Sequence, residues 1–166
     1  MELWDLYSAS REPLRRTHVR GDAIPEGCFH LVVHVWLRDS RGRYLISQRA
    51  ADRPTFPLLW ECTGGSVLQG EDSLAGALRE VREELGIDLA PESGRLVFCQ
   101  VRDWVDGVRF GDILDVWLFD FDGEADLDRG EGEVRRCRWM DRREISGLYE
   151  TGKLVQTLGY FLEDII

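Results

Sequence analysis

The chain has 166 residues, of which 43% are hydrophobic and 31% charged, enough apolar material for one domain with a proper core and too much for a disordered segment. Its 31 acidic residues outnumber the 21 basic ones to give a net charge of −10, which repels nucleic acid and anionic membranes. No basic stripe with interleaved aromatics offsets that charge, so nucleic-acid and membrane binding are excluded as expectations.

The longest apolar run, Leu31 to Leu37, is interrupted by His34 and is too short to span a bilayer. Met1 is followed by Glu2 and Asp5 rather than by a basic, apolar leader, so the expected compartment is the cytoplasm. Cys28, Cys62, Cys99 and Cys137 show no Cys-x-x-Cys spacing and read as reduced, mostly buried thiols.

In chain order, LWDLY and the segment around Arg15 predict a short N-terminal hairpin followed by a loop at Pro25 and Gly27, an appendage formed by residues 1–27. Residues 29–37 alternate, with Leu31, Val33, Val35 and Leu37 on one face and His30, Val32, His34 and Trp36 on the other, which predicts a strand. The turn Asp39 to Gly42 leads into a second strand, RYLISQR, so residues 29–49 read as a hairpin. On a strand His30 and His34 lie about 13 Å apart, too far to share one ion, which leaves structural or substrate-lining roles. Arg49 ends the second strand, where it can meet a substrate phosphate. Residues 50–58 carry two prolines and predict an exposed loop, after which LWECTGG brings a short apolar strand to paired glycines. Without a Cβ, Gly64 and Gly65 allow the backbone to approach a ligand closely.

The stretch Gly65 to Ile87, GSVLQGEDSLAGALREVREELGI, organises the rest. Leu74, Leu78, Val81 and Leu85 form one apolar helical stripe, Asp72 or Ser73 can cap its start, and Gly86 can end it. Glu80, Glu83 and Glu84 then cluster within roughly 100° of arc, about 140° from the stripe, as one solvent-facing patch. Three carboxylates at i, i+3 and i+4 repel one another, and two sit near the negative end of the helix dipole. Acidic runs often just solvate a helix face, but this arrangement makes a divalent cation the candidate partner.

These residues also resemble the signature of the Nudix hydrolases, in which Gly, five residues, Glu and seven residues precede Arg-Glu-apolar-x-Glu-Glu-x-Gly-apolar. Here the positions are Gly65, Glu71, Arg79, Glu80, Val81, Glu83, Glu84, Gly86 and Ile87, without a gap. The resemblance implies hydrolysis of a nucleoside diphosphate linked to another group. It implies Mg2+ or Mn2+ held by the Gly65 carbonyl with Glu80, Glu83 and Glu84, and Arg79 paired with Glu71 to hold loop and helix in register.

Beyond Gly86, residues 95–104 and 109–121 predict two longer strands joined near Asp106 and Gly107. Residues 122–133 form an acidic, glycine-containing loop without periodicity that is expected to be mobile, 134–140 a strand and 141–149 a helix. A closing helix over 152–165 places Leu154, Leu158, Phe161 and Ile165 on one stripe. Short strands around a half-buried helix predict an α/β (α+β) fold with a mixed sheet, and the resemblance sharpens this to the Nudix α/β/α sandwich. In some Nudix hydrolases a glutamate on the loop before the penultimate strand activates water. Glu133, six residues before Trp139, fits that spacing better than Glu131, while a box glutamate is the alternative base.

A second resemblance, over roughly residues 3–70, is to the isopentenyl-diphosphate isomerase-like branch of the superfamily. It rests on LWDLY, RTH, FHLVVHVW, the strand ending in Gln-Arg, and Pro57 to Trp60. His18 and His30 match only part of the isomerase metal set, and Cys62 lies two or three residues before the position of the isomerase cysteine. Hydrolysis is therefore expected over isomerisation, and over a catalytically inactive binding domain, since no box glutamate is lost. The expected partner is a small nucleoside diphosphate derivative, with a homodimer left open.

Overall fold

A computed structural model describes residues 1–105 and 107–163 of the chain; Asp106 of the anticipated turn and Ile165 of the anticipated closing stripe lie outside them. The alternating segment forms a strand, His30–Arg38, third in chain order (β3), after the hairpin strands β1 (Leu3–Tyr7) and β2 (Pro13–Val19). Its nine residues pair in parallel with β8 (Val108–Asp120), from His30 opposite Asp112 to Arg38 opposite Asp120. β8 in turn pairs antiparallel with β7 (Gly94–Val105).

The hairpin expected over 29–49 opens out. β3 and β4 (Tyr44–Arg49) are joined by the turn at Asp39, whose carboxylate accepts from the Arg41 and Arg43 amides at 3.0 and 2.7 Å. Only Arg38 and Tyr44 pair between the two strands. The rest of that edge of β3 is taken by β6 (Thr63–Ser66), antiparallel from Val32 to Val35, while β4 pairs with β5 (Trp60–Glu61) and β9 (Val134–Met140). A backbone edge holds one partner at a time, so β6 excludes β4. Gly64 and Gly65 therefore lie within β6 itself.

Each face of the sheet is covered by its own layer. Val33, Val35 and Leu37 pack under helix α1 (Ser73–Leu85), against Ala77, Val81 and Leu85. Trp36, Leu114 and Val116 pack on the other side against Ile145 of α2 (Arg142–Glu150) and against Leu158 and Phe161. These side chains are almost wholly enclosed, and each Val, Leu, Ile or Phe among them stabilises the fold by about 1.5–3 kcal/mol. The result is the expected α+β sandwich around a mixed sheet. Among the described residues, no helix is long and apolar enough to cross a membrane.

The closing segment differs from the predicted helix. Gly152 adopts φ 67°, Leu154 runs beside Trp60 in a parallel bridge, and only Gln156–Glu163 coils, as a 3₁₀ helix. Leu154 is nonetheless buried, through its bridge with Trp60, and so are Leu158 and Phe161, because a spacing of three residues returns to one face of a 3₁₀ helix. The acidic stretch 122–133 lacks regular structure, as expected, but it is anchored: the Asp126 amide donates to Leu85 O at 2.8 Å and the Glu131 amide to Glu83 O at 2.7 Å. Carbonyls left open at the end of α1 find their partners there.

Candidate active site

Asp72 caps α1 by accepting from the Ala75 amide, and Gly86 ends it at φ 65°. The deepest face of the helix carries Ala77, Val81, Glu84 and Leu85, with Leu74 and Leu78 at its margin. Glu84 thus corrects the expectation of a solvent-facing patch. Spaced i, i+4 and i+7 from Ala77 and Val81, it shares their face and is only 6% exposed.

Arg79 ties the helix to the loop before it. Its Nε donates to Glu71 Oε1 at 2.9 Å and its Nη2 to Ser66 O at 2.9 Å, while Glu71 Oε2 accepts from the Leu68 amide at 3.0 Å. The Nη1 of the same guanidinium bonds Glu80 Oε1 at 2.8 Å and Glu83 Oε2 at 2.9 Å. The structure thus brings Glu71, Arg79, Glu80 and Glu83 into one network. Gly65 presses against it, since a Cβ there would lie 2.4 Å from Glu80 Oε1.

These groups open onto a cleft of about 260 Å³ lined by Gly65, Glu80, Glu83, Glu84, Arg49 and Glu133, the positions singled out from the sequence. Glu71 stands behind Arg79, and His30 lies outside the cleft. Burial is the main cause that raises Glu80 to a pKa of about 6, and burial pushes Glu84 well above the usual carboxylate range. The Glu84 carboxylate accepts from the Gly64 amide, yet its Oε2 is sealed without a partner. Arg49 is engaged by Glu61 at 2.5 Å and Thr55 O at 2.9 Å, and Glu133 by Arg53 at 2.8 Å.

Among the described residues, no three His, Cys, Asp or Glu side chains converge closely enough to hold an ion as they stand; Arg79 neutralises Glu80 and Glu83 instead. The donor set nevertheless suits a hard cation. It combines a strand carbonyl with carboxylates gathered at one place, one carrying an orphaned buried oxygen, and buried carboxylates of that kind are stable only when paired.

Several lining residues escaped the sequence reading. Arg53 and Thr55 come from the 50–58 loop, and Glu2 and Arg20 from the N-terminal hairpin. Nothing in spacing distinguishes them from ordinary surface residues. His34 bonds the Tyr160 hydroxyl at 2.9 Å, and burial lowers its pKa to about 3. Cys62 is 3% exposed, does not line the cleft, and has its thiol pKa raised by burial.

The NUDIX domain model matches residues 29–164. The chain belongs to the Nudix hydrolase family. An uncharacterised Nudix hydrolase of Listeria innocua is 34% identical over 157 residues, covering 93% of this chain and 89% of that protein. The fold of this Nudix hydrolase is shared with a solved Deinococcus radiodurans protein at a TM-score of 0.72 and 21% identity, over 93% of this chain and 92% of that one. It is also shared with a bifunctional NMN adenylyltransferase/ADP ribose pyrophosphatase of Francisella tularensis, solved with AMP and a manganese ion. There the TM-score is 0.62 at 20% identity, covering 89% of this chain and 44% of that one. The isomerase likeness is narrower: an isopentenyl-diphosphate Delta-isomerase of Nocardia farcinica is 44% identical over 62 residues, 37% of this chain and 35% of that protein.

Proposed function

We propose that this Nudix hydrolase cleaves a phosphoanhydride bond in a nucleoside diphosphate linked to a second group, using Mg2+ or Mn2+. The observation that carries this reading is the sealed, unpartnered Oε2 of Glu84 at the floor of a cleft that also holds Glu80, Glu83 and Gly65. Glu80, Glu83, Glu84 and the Gly65 carbonyl would hold the ion. When bound, it would neutralise the non-bridging phosphate oxygens and steady the leaving phosphate.

The chain's own groups do the rest. Arg79, fixed by Glu71, holds Glu80 and Glu83 in register with β6. Arg49 and Arg53 line the cleft, and each would meet a substrate phosphate by exchanging its present carboxylate partner, Glu61 or Glu133. Glu133, held at the mouth by Arg53, would take the proton of the attacking water.

The test is a panel of nucleoside di- and triphosphates, nucleotide sugars and dinucleotides, assayed with magnesium or manganese. Release of a nucleoside monophosphate or phosphate that stops with EDTA is expected, and silence across the panel would sink the reading.

A further inference from the structure

A second groove, of about 410 Å³, lies where the N-terminal hairpin meets β8. It is separate from the acidic cleft yet adjoins it through consecutive residues of the hairpin: Arg20 lines the cleft and Gly21 lines the groove. The 20–21 stretch of the hairpin is thus part of the wall of both openings. Its walls are aromatic, formed by Trp4, His30 and Phe110. The Trp4 and His30 rings stack at 4.1 Å with planes 9° apart.

Two features set this groove apart from ordinary packing. The Trp4 indole N–H and His30 Nδ1 are both sealed without a hydrogen-bond partner, in side chains more than nine-tenths buried. Such atoms are normally bonded, so the floor holds unused hydrogen-bonding capacity. The second feature is the rigidity of the outer wall. Arg109 clamps the 20–27 loop through Ile24 O and through Pro25 O at 2.9 Å, and Ile24 seats on Gly111, whose φ of 64° and lack of a Cβ leave room for it.

The chemistry of the groove selects its ligand. Arg109 is spent, its Nε on Asp103 at 3.0 Å and its terminal nitrogens on the loop carbonyls, while the exposed Asp22 also lines the groove. A phosphate finds the negative charge of Asp22 there and, in Arg109, a guanidinium already bonded on all three nitrogens. A neutral planar ring finds the half-buried Phe110 ring beside the Trp4–His30 stack, Asp22 as an acceptor, and in His30 an imidazole whose pKa burial lowers to about 4. Stacking surface with mixed donors and acceptors is how unpaired nucleobases are held.

We propose that the groove walled by Trp4, His30 and Phe110 binds the base of the nucleotide substrate, with Asp22 accepting from a ring amino group. This rests on the proposed hydrolysis of a nucleoside diphosphate derivative, and its test is independent of turnover. Calorimetric titration of the full chain in EDTA with adenosine, guanosine, cytidine and uridine 5′-monophosphates, with ribose 5-phosphate as the ring-less probe, reads the groove directly. At least one nucleotide is expected to bind at least tenfold more tightly than ribose 5-phosphate. Phe110→Ala should weaken that binding about tenfold through lost stacking. Asp22→Asn, a change at an exposed position, should alter the ranking of the four bases. Binding no tighter than ribose 5-phosphate for all four, or affinities and ranking unchanged in both variants, would overturn the assignment. Nucleotide binding without turnover on the substrate panel would uphold the groove and discard the hydrolytic reading; turnover without ring binding would do the reverse.

Discussion

Glu84 takes a hydrogen bond from the Gly64 amide and leaves its second carboxylate oxygen buried and unpartnered, beside the carboxylate of Glu80. A carboxylate in that position is held above its ordinary pKa, so its stabilising contribution is complete only at low pH. It is lost as the pH rises and the group must ionise without a partner. Glu84→Gln should therefore leave the metal-free protein as stable as wild type or more so. Magnesium or manganese should raise the melting temperature of the wild type more than that of the variant, and turnover should fall by orders of magnitude. A variant that melts well below wild type in EDTA would contradict this account.

Glu83→Gln tests the same patch from its exposed side. Losing one of two anions bonded to Arg79 Nη1 should disturb folding little, because like-charge repulsion is also relieved. Turnover at limiting metal should drop by orders of magnitude and recover in part when metal is raised. Near-normal turnover at limiting metal would remove Glu83 from the ligand set.

For proton transfer, Glu131→Gln, Glu133→Gln and Glu80→Gln should be compared at saturating metal. A carboxylate that takes the proton contributes about 10²–10⁴-fold, whereas one that only solvates a loop contributes almost nothing. The expected pattern is a large loss at Glu133 and little at Glu131. A large loss confined to Glu80 would place the base on the helix.

His34 gives the protein a pH-dependent stability unrelated to catalysis. Unfolded, the imidazole titrates near 6.5; folded, burial lowers it to about 3, so between these values the unfolded chain binds the extra proton. Stability is full above about pH 6.5 and falls as the pH drops toward 3. His34→Gln keeps a polar partner for Tyr160 without the titration. Urea unfolding at pH 7 and pH 5 should show the variant losing about 1–2 kcal/mol less than wild type over that interval. Equal losses would show that His34 is accessible to protons in the native state.

Isomerase activity is expected to be absent. Cys62 is enclosed, its thiol held protonated by burial, and it does not line the cleft, so no thiol stands ready there to protonate a double bond. Incubation with isopentenyl diphosphate should yield no dimethylallyl isomer, and efficient conversion would reverse the ranking of the two activities.

The sequence alone determined the features that follow from local spacing. The helix at 73–85 was legible because its apolar period, its Asp72 cap and its Gly86 terminator all act within a few residues. The β3 strand was legible in the alternation of residues 31–37. The motif glutamates were legible because one helix turn fixes their mutual direction.

Tertiary structure decided what two distant segments settle together. Whether β3 pairs with β4 or β6 depends on which strand wins a single backbone edge, and no local pattern records that competition. Glu84 shares a face with Ala77 and Val81, yet that a carboxylate is enclosed there was decided by β6, whose Gly64 amide bonds it. Glu133 meets Arg53, and the N-terminal hairpin reaches the cleft, only because the folded chain brings together residues that lie far apart in sequence. Periodicity carries information over one or two turns of chain; the contents of the cleft also depend on contacts such as Arg53 with Glu133 and Glu83 with Glu131, where only packing specifies the partner.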